Sequence, residues 1–181
     1  MVPAAGEGRH NVLDWRPFSE EAPRVRSSTD LHDDLTARGV AHEMVHLPSS
    51  SHTAQLAAGL LGVPMAEVVK SLLFMLDDAR PVLALVTGDA TVDADALARE
   101  EGATQIRLAR SREVRELTGY QPGAVPPCAL ATEVPVVADP GVFAPAVVYC
   151  GGGTTTTMLR IRSADLAALL EPRGLPIAAR Q

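Results

Sequence analysis

Between residues 28 and 172, apolar and polar positions fall into short blocks whose period switches repeatedly between helix and strand. SSTDLHDDLTARG opens on capping residues and closes on Gly39, which predicts a short helix, and VAHEMVHL then alternates like a strand. SHTAQLAAGLLG predicts a helix with a Ser or Thr cap and a stop at Gly62, and VPMAEVV starts a further turn at Pro64. KSLLFML and PVLALVTG read as strands joined by DDAR, a hairpin. DADALAREEG predicts a helix, TQIRLA a strand, and SREVRELTG a helix capped by Ser111. After the Gly/Pro loop YQPGAVPPCAL come the strands EVPVVAD, PAVVYCGGG and TTTTMLRI, then the capped closing helix SADLAALL. Helices that interrupt strands, with at least one hairpin, predict an α+β fold on a mixed sheet. There is no internal repeat.

Residues 1 to 27 carry Pro, Gly and balanced charge and are read as an N-terminal extension, partly disordered, whose Val12, Leu13, Trp15 and Phe18 dock on the domain. The domain is expected over 28 to 175, with 176 to 181 as a tail. At 181 residues and 46% hydrophobic, one domain can bury a real core, and with 3% aromatic content the filling must be aliphatic. No apolar run approaches the roughly 20 residues of a membrane span. The start of the chain lacks a basic segment followed by an apolar one, so it does not read as a secretory signal. Cys128 and Cys150 are too few for a disulfide framework and lack metal-site spacing. A cytoplasmic protein with free thiols is expected, without membrane, metal or cofactor. A net charge of −6 argues against nonspecific coating of nucleic acid, DNA included, but leaves room for a local patch. Arg107, Arg110, Arg112 and Arg115 form the densest basic stretch.

Lys70 is the only lysine among sixteen basic residues and lies inside the apolar run AEVVKSLLFML. An ammonium is a compact charge that loses its proton readily when buried, unlike the planar guanidinium. Its stem can lie on apolar surface with the head at a cavity mouth. Composition alone leaves a site role and plain coding bias equally open. In TGYQPGAVPP, Gly123 and Pro127 have G-x-x-x-P spacing, and the glycine and prolines fix a loop that can aim peptide N–H groups at an oxyanion. A tight crossover is the competing explanation. CGGGTTTT lacks the phosphate-loop pattern and reads as a strand connection with close backbone approach that can form part of a pocket wall. His42 and His46 complete no metal motif, and His52 stands at a helix start, where a cap is the ordinary role.

Three blocks, HTAQLAAGLLGVPMAEVVKSLLF, TGYQPGAVPP and GGGTTTTMLRIRSADL, resemble in order and spacing the YbaK/prolyl-tRNA-synthetase-associated domain. The resemblance spans residues 28 to 172. It implies a mixed, mostly antiparallel curved β-sheet with surrounding helices, and hydrolysis of the ester between a wrong amino acid and a tRNA 3′ end. It implies that Lys70 is the family's site lysine and Gly123 to Pro127 its loop, with Gly123 and Ala124 supplying oxyanion donors. Ser71, His52, Thr118, Gly119, Tyr120, Pro127 and Gly152 fall within or beside these blocks and are expected to contact substrate. Arg107, Arg110, Arg112 and Arg115 are expected at the tRNA phosphates, and an aminoacyl-tRNA synthetase is a further candidate partner. The family commonly has Gly-Gly-Val-Ser-Pro in the loop. Here it is Gly-Ala-Val-Pro-Pro, and Pro126 has no N–H to offer. That departure supports the rival expectation, a non-catalytic module that binds tRNA or a synthetase.

Overall fold

The computed structural model describes residues 24–180. The described residues form five α-helices, α1 (Ser28–Ala37), α2 (Ala54–Leu61), α3 (Ala94–Glu100), α4 (Ser111–Thr118) and α5 (Ser163–Leu170). Its longer strands are β1 (His42–His46), β2 (Val69–Leu76), β3 (Arg80–Thr87), β7 (Val147–Thr154) and β8 (Thr157–Arg162). The shorter strands are β4 (Ala90–Val92), β5 (Ile106–Leu108), β6 (Val136–Ala138), β9 (Arg173–Gly174) and β10 (Ala178–Arg180). They group as β1-β8-β7, β5-β2-β3-β6-β9 and β10-β4, mostly antiparallel, with β6 parallel to both β3 and β9. The α+β expectation therefore stands, and the sheet is divided into three.

The β2–β3 hairpin is the spine of the larger sheet, and its turn holds Asp77 and Asp78 at positive φ, 50° and 55°. The Asp77 carboxylate accepts from the Thr104 and Gln105 N–H groups (2.9 Å each) and the Thr104 hydroxyl (2.7 Å), which anchors the start of β5 to the turn. Those bonds hold its pKa at about 2, the side-chain bond from Thr104 being the largest cause.

The two faces of β2 serve different cores. Val69, Leu73 and Met75 face a cluster with α1, α4, β7, β8 and the loop after α4. Leu72, Phe74 and Leu76 face another, closed by Leu97 of α3, Val137 and Ile177. Helix α2 packs in a third cluster with Leu47, Val68 and Met158.

Three expectations change. Residues 176–180 are not a tail: Ile177 is fully buried, its carbonyl accepts from Asp93 N–H (2.7 Å), and β10 pairs with β4. Ser111 and Ser163 are first helical residues, not caps. Arg110 takes the cap position of α4, its N–H donating to the Glu113 carboxylate, and the Ser163 hydroxyl donates to Pro145 O. At the other end of the domain, Arg26 docks on the loop after α4: its N–H donates to Gly119 O (2.8 Å) and its guanidinium to Ala129 O (3.0 Å). The expected docking of Val12, Leu13, Trp15 and Phe18 lies outside the described residues.

Candidate active site

The loop Gly119–Leu130 begins where α4 ends on Gly119, whose φ of 81° closes the helix. Thr118, Gly119 and Tyr120, expected at the substrate, use their polar groups inside the domain. The Thr118 hydroxyl donates to Val114 O (2.6 Å) and accepts from Tyr120 N–H (3.1 Å). Tyr120 is fully buried, and its hydroxyl donates to Ala129 O (3.1 Å). Burial raises the Tyr120 pKa to about 12, so the phenol stays neutral. These three residues hold the loop.

The next four residues turn outward. Gln121-Pro122-Gly123-Ala124 is closed by a bond from Ala124 N–H to Gln121 O (3.0 Å), and Gly123 has φ 85°. Pro at the second position and a left-handed Gly at the third are the residues a type II turn requires. Gln121, Pro122 and Gly123 are exposed, whereas Ala124 to Ala129 are buried. Ala124 N–H, expected as an oxyanion donor, is therefore committed to the turn. Gly123 N–H and Val125 N–H have no partner among the described residues, and Val125 was not among the sequence candidates. Nothing in the sequence distinguishes the two amides, because the turn bond that consumes one of them depends on how the loop closes.

The loop is clamped to β7 by close backbone approach. Gly153 N–H donates to Ala124 O (3.0 Å), and a Cβ at Gly151 would lie 2.3 Å from Val125 O. A Cβ at Gly152 would lie 2.4 Å from Thr157 O, so this expected contact residue serves strand packing against β8. Pro127 is buried within the loop. His52 is exposed, with its ring Nδ1 3.9 Å from where a Cβ of Gly123 would stand. The cap of α2 falls to Thr53, whose hydroxyl accepts from Leu56 N–H (3.2 Å).

Lys70 is on the other face of β2. Its ammonium donates to Gly88 O (3.2 Å) and to Ala90 O, bridging the turn between β3 and β4. Burial lowers its pKa, with the nearby Asp89 carboxylate opposing the shift. That turn reaches back toward the loop by way of α2: a Cβ at Gly88 would meet Ala54 Cβ at 3.1 Å, two residues beyond His52. The start of α2 thus stands between the Lys70 turn and the Gly123 turn.

Ser71 lies on the loop side of β2, between Val69 and Leu73, and its hydroxyl is buried with no partner among the described residues. Ala109 N–H donates to Leu73 O (2.8 Å) and Asp77 N–H to Gln105 O (2.9 Å), so odd-numbered residues of β2 point their peptide groups toward β5. Strand β5 pairs with β2 from Phe74 onward, and β7 bridges the same edge at Val68. Ser71 therefore sits in a notch between two strands.

The arginines divide. Arg107 makes a two-pronged pair with Glu113 (2.8 Å for each bond) and a third bond to Asp78 (2.6 Å). The guanidinium holds Glu113 at about 2. Arg112 pairs with Glu116, whereas Arg110 and Arg115 are exposed and have no carboxylate partner among the described residues. On β1, His42 Nδ1 bonds Val40 O (2.8 Å) and its Nε2 meets His32 Nδ1 (2.9 Å). Among the described residues no group of three or more His, Cys, Asp or Glu can hold a metal ion. Cys128 and Cys150 are buried thiols whose pKa values burial pushes up, that of Cys128 to about 12.

Comparison with known proteins converges on one family. The family model of the aminoacyl-tRNA editing domain matches residues 48–169. A proline–tRNA ligase of Xanthomonas campestris pv. campestris is 36% identical over 146 residues, 80% of this chain and 26% of the ligase. The ligase of Bacillus pumilus is 41% identical over 97 residues, 54% of this chain and 17% of the ligase. The chain spans about a quarter or less of these relatives. A solved structure described as a candidate trans-editing enzyme for prolyl tRNA synthetase aligns with TM-score 0.78 at 31% identity, covering 84% of this chain and 96% of that one.

Proposed function

This chain belongs to the aminoacyl-tRNA editing domain family, and on that premise we propose that it is a trans-editing hydrolase for mischarged tRNA carrying a small amino acid. The observation that carries the reading is the turn at Gln121–Ala124, which fixes an exposed Gly123 whose N–H is uncommitted. A donor held rigidly where charge develops needs no reorganisation during reaction, and such donors are among the largest catalytic contributions.

In this mechanism water attacks the ester carbonyl, and the oxyanion accepts from Gly123 N–H, with Val125 N–H as second donor. Ala124 contributes through its position in the turn. Collapse of the tetrahedral intermediate breaks the bond to the ribose oxygen, which leaves protonated, and a substrate group such as the neighbouring ribose hydroxyl relays the proton from water. Lys70 anchors the aminoacyl end. Two of its protons are held by carbonyls, and a third remains for a substrate oxygen. His52 beside Gly123 borders the entrance. Arg110 and Arg115, the uncommitted members of the basic stretch, are the stronger candidates for acceptor-end phosphates. The work would be done in the cytoplasm on the aminoacyl-tRNA 3′ end, with an aminoacyl-tRNA synthetase as a candidate partner.

The test is deacylation of tRNA carrying Cys, Ala, Ser or Thr by the wild type and Lys70→Ala. Turnover that falls at least a hundredfold in a folded mutant supports the mechanism, whereas a folded, fully active mutant removes Lys70 from it. Binding of tRNA or a synthetase with no turnover of any substrate would favour the non-catalytic module, for which the commitment of Ala124 N–H and the missing N–H of Pro126 are the structural arguments.

A further inference from the structure

Building on the deacylase reading, we propose that Arg26, on the segment that enters α1, is a positioning residue for the Gly123 turn. The loop Gly119–Leu130 leaves and re-enters the domain through one neck. Ala131 N–H donates to Thr118 O (2.9 Å), and the N–H and hydroxyl of Thr132 both donate to Leu117 O (3.0 and 2.8 Å). A segment whose ends meet in this way is an Ω-shaped loop, packed by its own side chains. Tyr120 fills its interior, and Arg26 spans the neck.

Arg26 fastens both limbs of the loop. Its N–H holds Gly119 O on the outgoing limb, and its guanidinium holds Ala129 O on the returning one. Its stem packs there too: a Cβ at Gly119 would meet Arg26 Cγ and Cδ at 3.0 Å and Ala131 Cβ at 3.1 Å. Ala129 has φ 55°, a left-handed backbone that an L side chain disfavours and that persists only where neighbours enforce it. Two donors enforce it here, Arg26 and the Tyr120 hydroxyl, which share the Ala129 carbonyl. The next residue carries the brace onto β7, where a Cβ at Gly153 would meet the Ser27 carbonyl carbon at 2.9 Å. Gly153 is the residue whose N–H holds Ala124 O, so one short segment secures the neck and the strand to which the turn is clamped.

These contacts fall at Gly119 and Ala129, not at Gly123, so Arg26 acts through the loop. An oxyanion donor must be in place before charge develops, and a misplacement of about 1 Å can cost about a hundredfold in rate. A slack neck lets the turn shift. The transition state then loses its donor, while the hold of Lys70 on the bound substrate is unchanged, so the loss falls on kcat and not on KM.

The experiment uses the full chain and, among tRNAs carrying Cys, Ala, Ser or Thr, the one that the wild type hydrolyses fastest. It compares kcat and KM for wild type, Arg26→Met and Arg26→Lys at equal folded fraction. Arg26→Met keeps the stem and loses the guanidinium: kcat should fall about tenfold or more, with KM within about threefold of the wild type. Arg26→Lys, which keeps a donor for Ala129 O, should regain most of the lost kcat. Hydrogen exchange read by mass spectrometry should quicken across residues 119–131 in Arg26→Met and stay unchanged in the β2–β3 hairpin. An unchanged kcat, a raised KM at unchanged kcat, or unaltered exchange in the loop overturns the Arg26 assignment while leaving the deacylase reading intact. No turnover of any aminoacyl-tRNA by the wild type removes both.

Discussion

Lys70 and Ser71 are adjacent on β2 but lie in opposite situations. The charged side chain is tied down by two carbonyls at the turn between β3 and β4, on the face shared with α3 and the C-terminal strand. The neutral one has no hydrogen-bond partner among the described residues and lies on the face shared with the loop after α4. The strand thus presents a satisfied charge on one side and an unsatisfied dipole on the other. A charge left without partners indoors would be prohibitive, so Lys70 must be secured whatever else it does. A lone hydroxyl costs far less.

This contrast can be broken from either side. The largest effect is expected from Gly151→Ala, because the added Cβ would meet the Val125 backbone, which cannot swing aside. About 3 kcal/mol should be lost in urea unfolding, together with activity, as the loop lifts from β7. Lys70→Met comes next: it leaves the carbonyls of Gly88 and Ala90 without their donor, and chemical denaturation should show a loss of about 1–3 kcal/mol. Gly123→Ala should cost only about 1–2 kcal/mol, since there is room for the Cβ and the penalty is the left-handed backbone alone. Its deacylation rate should nevertheless fall further than that of Lys70-independent surface variants, a difference read from initial rates at matched folded fraction.

The smallest effect is a pH dependence. Lys70 is depressed by burial below the ordinary lysine value of 10.5, so the folded state disfavours its charged form. That penalty is present below the folded pKa and is relieved as pH rises from there toward 10.5. The stability of the wild type should therefore rise relative to Lys70→Met over that interval, and parallel pH–stability curves would show that the carbonyls cancel the cost of burial.

Much of this was readable from sequence where the signal is local. The β2–β3 hairpin follows from two apolar runs around DDAR, and α2 from its threonine start and Gly62 stop. Unlike the three-residue strands β5 and β6, which lie within longer strand-like runs, β4, β9 and β10 sit in stretches with no such run, and Ile177 is buried by partners far away in sequence. The two serine caps slipped by one position because a serine side chain is legible, whereas the carboxylate reaching back from Glu113 to Arg110 N–H is a matter of geometry. In the candidate site, Lys70 and the loop stood out by residue type. The inward commitment of Thr118 and Tyr120, the loss of Arg107 to Glu113 and Asp78, and the notch at Ser71 all depend on where other segments stop.

The brevity of the outer strands has a consequence for life in a crowded solution. The five-stranded sheet ends on β5 and β9, three and two residues long, so neither margin offers a docking template for another chain's strand. Along β2, the stretch between the bridge to β7 at Val68 and the ladder to β5 from Phe74 is also limited to a few residues. On this sheet, strand addition by another chain therefore has little backbone to grow from.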